Sequence, residues 1–160
     1  MENILNGATM DIVLRLFVAL MLGMIIGTER VWAHKTAGMR TYALVSMGAA
    51  LFIIISEMIS AQYINIGGFD PTRIASQVIV GIGFLGAGSI MLQGSRLKGL
   101  TTASGLWITA GIGIAAGFGF FRLAVIATIL ILFIFIVLWF LEEQLKRTKY
   151  FKENNVEDTN

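Results

Sequence analysis

The residues of this chain best able to do chemistry are ionisable or polar side chains placed inside, or at the ends of, long apolar stretches. A charge held within a bilayer is costly, so such residues pair with one another or mark a functional site. The chemistry open to them is charge pairing, ion binding or proton transfer. The candidates for intramembrane or interface sites are Arg15, Glu29, Arg30, Arg40, Asp70, Arg73 and Gln77.

Arg15 is the most unusual of these residues. The uncharged stretch after it, Leu16–Thr28, is about 20 Å long as a helix, whereas a bilayer core is about 30 Å thick. Arg15, and Asp11 four residues before it, must therefore lie inside or at the edge of the hydrocarbon. Either Arg15 reaches the outer interface with Asp11 as its partner, or it faces the bundle interior, where its charge must be matched.

A second question is whether the acidic residues near one membrane face form an ion site. The predicted topology places three acids and three bases in the same half of the membrane. We expect a charge-paired network there, because a Mg²⁺ site needs uncompensated oxygen ligands, and no metal site is predicted. The residues are Asp11, Glu57, Asp70, Arg15, Arg73 and Arg122.

Other polar residues have local interpretations. Asp70 is a good N-cap and Pro71 is favoured at the first helical position, so the two predict a helix start. Thr101 and Thr102 follow a glycine and also predict a helix start, with a capping role. Glu29 either pairs with Arg40 across the first connection or is an ordinary loop charge.

No motif indicates catalysis. The segment Gly81–Gly88 contains a literal G-x-G-x-x-G, but it lacks the preceding strand and the following acidic residue of a dinucleotide site. Cysteine is absent, which excludes thiolate chemistry. We find no Ser/His/Asp arrangement, P-loop or HExxH, so neither an enzyme nor a cofactor is predicted.

The elements that must position these residues are membrane helices. Hydrophobic residues make up 56% of the 160 residues and charged ones 14%, against about 25% charged in soluble domains. The sequence predicts an all-α membrane protein with about five transmembrane helices in one glycine-rich bundle. The predicted spans are 10–27, 41–59, 74–92, 101–119 and 122–141.

The predicted organisation is an N-terminal segment at 1–9, a transmembrane domain at 10–141, and a cytoplasmic helical extension with a disordered tail at 142–160. No cleavable signal peptide is expected. Basic residues are concentrated in the first and third connections and in the tail, which places the N-terminus outside and the C-terminus in the cytoplasm. These residues are Arg30, Lys35, Arg40, Arg96, Lys98, Lys146, Arg147, Lys149 and Lys152.

Small residues predict close helix packing, because glycine lets two helix backbones touch in lipid. The packing is either within one subunit, which we favour, or at a dimer seam. The residues predicted to pack are Ala19, Gly23, Gly27, Gly81, Gly83, Gly86, Gly88, Gly113 and Gly117.

Several motifs resemble those of the MgtC/SapB family of bacterial inner-membrane proteins. They cover about Arg15–Leu123, in the order and at the spacing of that family. The motifs are Arg15-Leu16, Leu22-Gly23, Ile26–Arg30, Met39–Thr41, Asp70–Gln77, Gly81–Gly88 and Gly99–Thr102.

The resemblance implies a membrane domain of about five spans and a link to growth under magnesium limitation and to survival inside host phagocytes. It also implies, for some members, restraint of the F-type ATP synthase through contact with its membrane sector. It implies that Arg15, Glu29, Arg30, Arg40, Asp70, Arg73, Gln77, Thr101 and Thr102 are the family's characteristic polar residues.

One departure from the family pattern concerns the C-terminus. MgtC-type proteins carry a soluble cytoplasmic domain, whereas about twenty residues follow Leu141 here, too few for a folded domain. The chain is therefore expected to be the short, SapB-like form. This departure weakens the expectation of a virulence role and of soluble effector sensing.

We predict a non-enzymatic regulator in the bacterial inner membrane that contacts itself or another membrane protein, with no nucleic-acid partner. The alternative is a transporter or channel for Mg²⁺ or another small solute. A secondary-transporter fold is disfavoured because the spans show no evident inverted repeat.

Overall fold

The computed structural model describes residues 2–62, 70 and 72–147, and these residues are almost entirely helical. Six helices and one short hairpin follow one another along the chain. They are α1 (Glu2–Trp32), α2 (Met39–Gln62), α3 (Thr72–Gly88), β1 (Met91–Gln93), β2 (Arg96–Lys98), α4 (Leu100–Gly117), α5 (Phe121–Phe133) and α6 (Trp139–Arg147), with a π-helical turn at Ile134–Leu138 between α5 and α6.

This architecture confirms the predicted all-α membrane protein. Within the described residues, four helical segments are long and apolar enough to cross a bilayer: Gly7–Trp32, Met39–Ala61, Leu100–Gly117 and Phe121–Leu145. The remaining apolar helix, α3, has 17 residues and is about 26 Å long, slightly less than the bilayer core. The number of spans and their orientation stay predictions.

Helix α2 forms the centre of the bundle, between α1 and α4, and glycines bring the three backbones together. A Cβ atom added to Gly23 of α1 would lie 2.5 Å from the Tyr42 carbonyl oxygen. At the same turn of α2, a Cβ at Gly113 of α4 would lie 2.1 Å from the Ser46 carbonyl oxygen. Ser46 is fully buried between the two neighbouring helices. The central helix is thus in close backbone contact with both α1 and α4.

The other predicted packing residues divide into two groups. Gly27 and Gly117 also touch the α2 backbone, Ala19 is fully buried, and Gly86 makes ordinary contact with Ala103. Gly81, Gly83 and Gly88 of α3 do not pack within the subunit, since a Cβ at any of them would meet nothing within 4 Å; the alternative of packing against a second chain stays a prediction for them. Helix α3 lies at the edge of the bundle, and its buried residues are Ile82 and Gly86.

The end of the third predicted span is wrong. The prediction continued the helix to residue 92, but α3 ends at Gly88 and the chain enters an antiparallel hairpin. The Ser89 hydroxyl donates to the Gly86 carbonyl oxygen at 2.7 Å. Gly94 and Gly99 then adopt φ values of +64° and +96°, which favour glycine and turn the chain back.

The structure also bears on both ends of the predicted domain organisation. The predicted N-terminal segment 1–9 is part of α1 from Glu2 onward. The chain is helical beyond the last predicted span, since α6 runs to Arg147; its cytoplasmic location stays a prediction. The tail predicted to be disordered and Pro71 lie outside the described residues.

Candidate functional site

The first polar cluster joins three helices through the side chain of Arg15. Its Nη1 atom donates to Glu57 Oε2 of α2 at 2.6 Å and to the Gly117 carbonyl oxygen of α4 at 2.9 Å. Its Nε atom lies 2.8 Å from Asp11 Oδ2, one turn earlier on α1. We call Asp11, Arg15 and Glu57 the Arg15 cluster.

The contacts of Arg15 differ in strength. The Nε–H does not point at the Asp11 oxygen with hydrogen-bond geometry, so that contact is an ion pair without a directed hydrogen bond. The Arg15 side chain is 21% exposed, against 37% for Glu57 and 48% for Asp11. The Glu57 pair is therefore the better shielded of the two and contributes more.

The C-terminus of α4 explains the backbone part of this cluster. The last carbonyls of a helix carry partial negative charge and attract a cation. Gly119, at φ +76°, turns the chain after α4, and a Cβ there would lie 3.8 Å from the guanidinium carbon of Arg15. The two features together let Arg15 reach the Gly117 carbonyl oxygen from a neighbouring helix.

The second polar cluster lies at the other end of α1, around Arg30. This side chain is nearly fully buried, and its Nε atom pairs with the neighbouring Glu29 carboxylate. Its guanidinium carbon lies 3.4 Å from the centre of the Phe135 ring. Phe135 belongs to the π-helical turn, an insertion often found at functional sites.

Small and aromatic residues close this cluster from the side of α4. A Cβ at Gly105 would lie 2.6 Å from Tyr42 Oη and 2.7 Å from Phe135 Cζ. The buried Tyr42 hydroxyl donates weakly to the Thr102 carbonyl oxygen at 3.4 Å. We call Glu29, Arg30, Tyr42, Gly105 and Phe135 the Arg30 cluster.

Replacing Phe135 by leucine should cost about 2 kcal/mol of unfolding free energy, because a cation–π contact is worth about that much when it is desolvated. Phe133→Leu, at a half-exposed position on the same segment, is the matched control. The measurement is a double-mutant cycle with Arg30→Met by chemical unfolding in detergent. A coupling energy near zero would contradict the contribution of this contact.

Several predicted site residues are not brought together. Neither alternative for Glu29 holds, since Glu29 pairs with its neighbour Arg30 at the end of α1 and Arg40 is exposed. Arg73 and Arg122 are exposed at the helix starts, so the predicted pairing of three acids with three bases reduces to the Arg15 cluster among the described residues. Gln77 is exposed on α3.

Helix α3 begins with the predicted side-chain cap, whereas helix α4 does not. Asp70 Oδ1 accepts hydrogen bonds from the Thr72 backbone N–H at 2.9 Å and from its hydroxyl at 2.7 Å. These bonds hold the pKa of the exposed Asp70 carboxyl below its usual value. Helix α4 is preceded by Gly99, with no side-chain cap. The predicted capping role of Thr101 and Thr102 is therefore wrong, and Thr102 is buried instead.

Sequence reasoning missed two residues that complete the Arg30 cluster, Phe135 and Gly105. Phe135 is one of 11 phenylalanines in the chain and carries no signal in the sequence that would distinguish it. Gly105 does carry one, because it continues the four-residue spacing of small residues Thr109, Gly113 and Gly117 on α4. The class defined by fold and site is a multi-pass helical membrane protein in which one buried arginine, Arg30, and one partly buried arginine, Arg15, pair with carboxylates of the same chain.

Comparison with known proteins specifies the family. The model of the MgtC family matches residues 16–144. Protein MgtC of Salmonella typhimurium is 48% identical over 120 residues, which are 75% of this chain and 49% of the relative. Protein MgtC of Brucella abortus is 42% identical over 114 residues, or 71% of this chain and 45% of the relative. The chain belongs to the MgtC family.

A third relative carries a name that suggests an activity. YhiD of Escherichia coli (strain K12), named as a candidate magnesium transporter, is 38% identical over 128 residues, which are 79% of this chain and 60% of that protein. The chain thus spans about half to three fifths of the length of these relatives. No solved structure matches it.

Proposed function

We propose that this chain is a non-enzymatic regulator in the bacterial cytoplasmic membrane that binds a transmembrane helix of a partner and supports growth under magnesium limitation. The magnesium connection rests on family membership and on the name of the Escherichia coli relative. The partner is a second copy of the chain or another membrane protein. The membrane sector of the F-type ATP synthase is one candidate.

The observation that carries the proposal is an open groove between α2 and α3. It has a volume of about 480 Å³. Gly48 and Gly81 line it from opposite sides, and a Cβ at either would meet nothing within 4 Å. Its lining residues are Leu44, Val45, Gly48, Ala49, Phe52, Ile74, Gln77, Val78, Gly81, Ile82 and Leu85.

This α2–α3 groove has the character of a helix-binding surface. Small residues on both walls allow close backbone approach, and one amide side chain, Gln77, can fix the orientation of a partner by a hydrogen bond. The small residues of α1 and α4 that were predicted to pack lie against α2 within the subunit. They are therefore not free to contact a partner.

The test fills the groove without touching the packed core. Gly81→Leu and Gly48→Leu should each abolish growth complementation at low magnesium in a strain lacking the gene, because leucine occupies the space of the partner. Gly111→Leu is the matched control, since Gly111 on α4 is also open. Each variant must retain the thermal stability of the parent. Full complementation by both groove variants would overturn the proposal.

Transport of Mg²⁺ is the second candidate function, and one observation favours it. Arg15 faces two carboxylates, so the Arg15 cluster keeps one negative charge in excess. Carboxylate oxygens are the ligands that Mg²⁺ prefers.

Flux of Mg²⁺ into proteoliposomes separates the two functions. As a regulator, the protein should give no flux above that of empty vesicles. Flux that Asp11→Asn removes, and that the double variant Asp70→Asn/Arg73→Gln leaves unchanged, would establish transport through the Arg15 cluster. Loss of flux in the double variant instead would place the pathway at the start of α3.

A further inference from the structure

We propose that the hairpin Met91–Lys98 is an interfacial element that binds the anionic headgroups of the phospholipid bilayer. The hairpin lies between the ends of two apolar helices, α3 and α4. Its base is closed by backbone contact, since a Cβ at Gly99 would lie 2.0 Å from the Ser89 carbonyl oxygen. This contact holds both strands close to the helix ends.

The two faces of the hairpin differ in charge. Leu92 pairs directly with Leu97, and paired residues share a face. The neighbouring pairs, Met91–Lys98 and Gln93–Arg96, place both basic residues on the other face, because successive residues of a strand alternate. Leu92 and Leu97 are 71% and 59% exposed. A two-stranded hairpin with an uncovered apolar face is marginal in water, so this face requires an apolar surrounding.

Helix length places that face at the edge of the hydrocarbon. Helix α3 has 17 residues and α4 has 18, so they are about 26 and 27 Å long. Both are slightly shorter than the bilayer core of about 30 Å. Strands of three residues add about 10 Å, little more than the headgroup layer of roughly 5–8 Å. Leu92 and Leu97 therefore complete the apolar length of the two helices.

The positive charge of the hairpin indicates that it binds anionic phospholipids. The sequence contains no acidic residue between Asp70 and Glu142, so Arg96 and Lys98 have no carboxylate nearby along the chain. Both side chains are exposed. Basic residues beside a membrane span are attracted to anionic headgroups. The phosphates of an anionic bilayer therefore complement the basic face while the leucines enter the hydrocarbon edge.

The absence of cysteine from the sequence allows a direct test with single spin labels. Leu92→Cys and Gln93→Cys place labels on the two faces of β1 in the purified protein, reconstituted into vesicles of phosphatidylglycerol and phosphatidylcholine in equal parts. The label at 92 should be accessible to oxygen, and its accessibility to a water-soluble nickel chelate should be several-fold lower than that of the label at 93. Equal nickel accessibility at the two positions would overturn the proposal.

The dependence on headgroup charge is tested with the same label at 92. Its protection from nickel should be greater in the anionic vesicles than in pure phosphatidylcholine, and the difference should vanish in Arg96→Gln/Lys98→Gln. The control Arg73→Gln/Arg122→Gln, at helix starts away from the hairpin, should keep the difference. Protection that is independent of lipid charge would overturn the assignment to anionic lipid. Protection seen in native membranes and absent from the vesicles would overturn it in favour of a protein partner.

Discussion

Replacing Gly113 by alanine is expected to lower the unfolding free energy by about 3 kcal/mol or more, near the upper end of the cost of overpacking. The added Cβ would lie 2.1 Å from the Ser46 carbonyl oxygen and 2.8 Å from its carbonyl carbon. Both atoms belong to the α2 backbone, and Gly23 of α1 lies against the same turn. This turn is therefore packed against two neighbouring helices, and an added Cβ requires helix backbones to shift.

Gly111 provides the matched control on the same helix. A Cβ at Gly111 would meet nothing within 4 Å, so Gly111→Ala should be neutral or should stabilise by roughly 0.5–1 kcal/mol through helix propensity. Thermal unfolding in one detergent, followed by circular dichroism, compares the two variants. Melting temperatures that agree for the two variants would show that α2 and α4 do not touch through Gly113.

Replacing Arg15 by glutamine is the second change with a large expected effect, a loss of about 2 kcal/mol, less than for a fully buried ion pair because the side chains of the cluster are partly exposed. Glutamine removes the positive charge between Asp11 and Glu57 and the donor to the Gly117 carbonyl oxygen. Two carboxylates then repel one another at the junction of α1, α2 and α4. Arg15→Lys should recover part of the loss, because a single ammonium cannot reproduce the fork of donors.

Arg122→Gln serves as the control, since Arg122 is an exposed arginine at the start of α5, and it should change stability little. A double-mutant cycle between Arg15→Gln and Glu57→Gln, by chemical unfolding in detergent, should give a coupling energy of roughly 1–3 kcal/mol. If Arg15→Gln unfolds at the same denaturant concentration as Arg122→Gln, the cluster does not hold the three helices together.

These two changes act on the same three helices, whereas the proposed partner and lipid contacts involve α3 and the hairpin. Helices α1, α2 and α4 are joined by glycine contacts and by Arg15, and α3 contributes few buried residues. A variant can therefore lose the α2–α3 groove or the basic face of the hairpin while the bundle stays folded. This separation is what makes the functional tests interpretable.

The sequence was sufficient to predict that the protein lies in a membrane, that its fold is all-α, and which family it resembles. Long apolar stretches have one stable form in a bilayer that satisfies the backbone within each segment, the helix, and the prediction of an all-α membrane protein of the MgtC/SapB type is confirmed. The unusual position of Arg15 was also evident from the sequence. The uncharged stretch that follows Arg15 is too short, as a helix, to span the hydrocarbon core of a bilayer.

The tertiary structure decided which residues meet. In lipid a helix can be apolar on every side, so hydrophobicity does not indicate which face turns inward. The sequence therefore could not distinguish Gly113, which touches α2, from Gly81, which faces an open groove. The sequence could not indicate that the Arg30 guanidinium would pack on the ring of Phe135, more than 100 positions later. Nor could it indicate that residues 91–98 would form a hairpin. These contacts depend on how the helices pack, and the spacing of residues within one segment of the sequence does not indicate that packing.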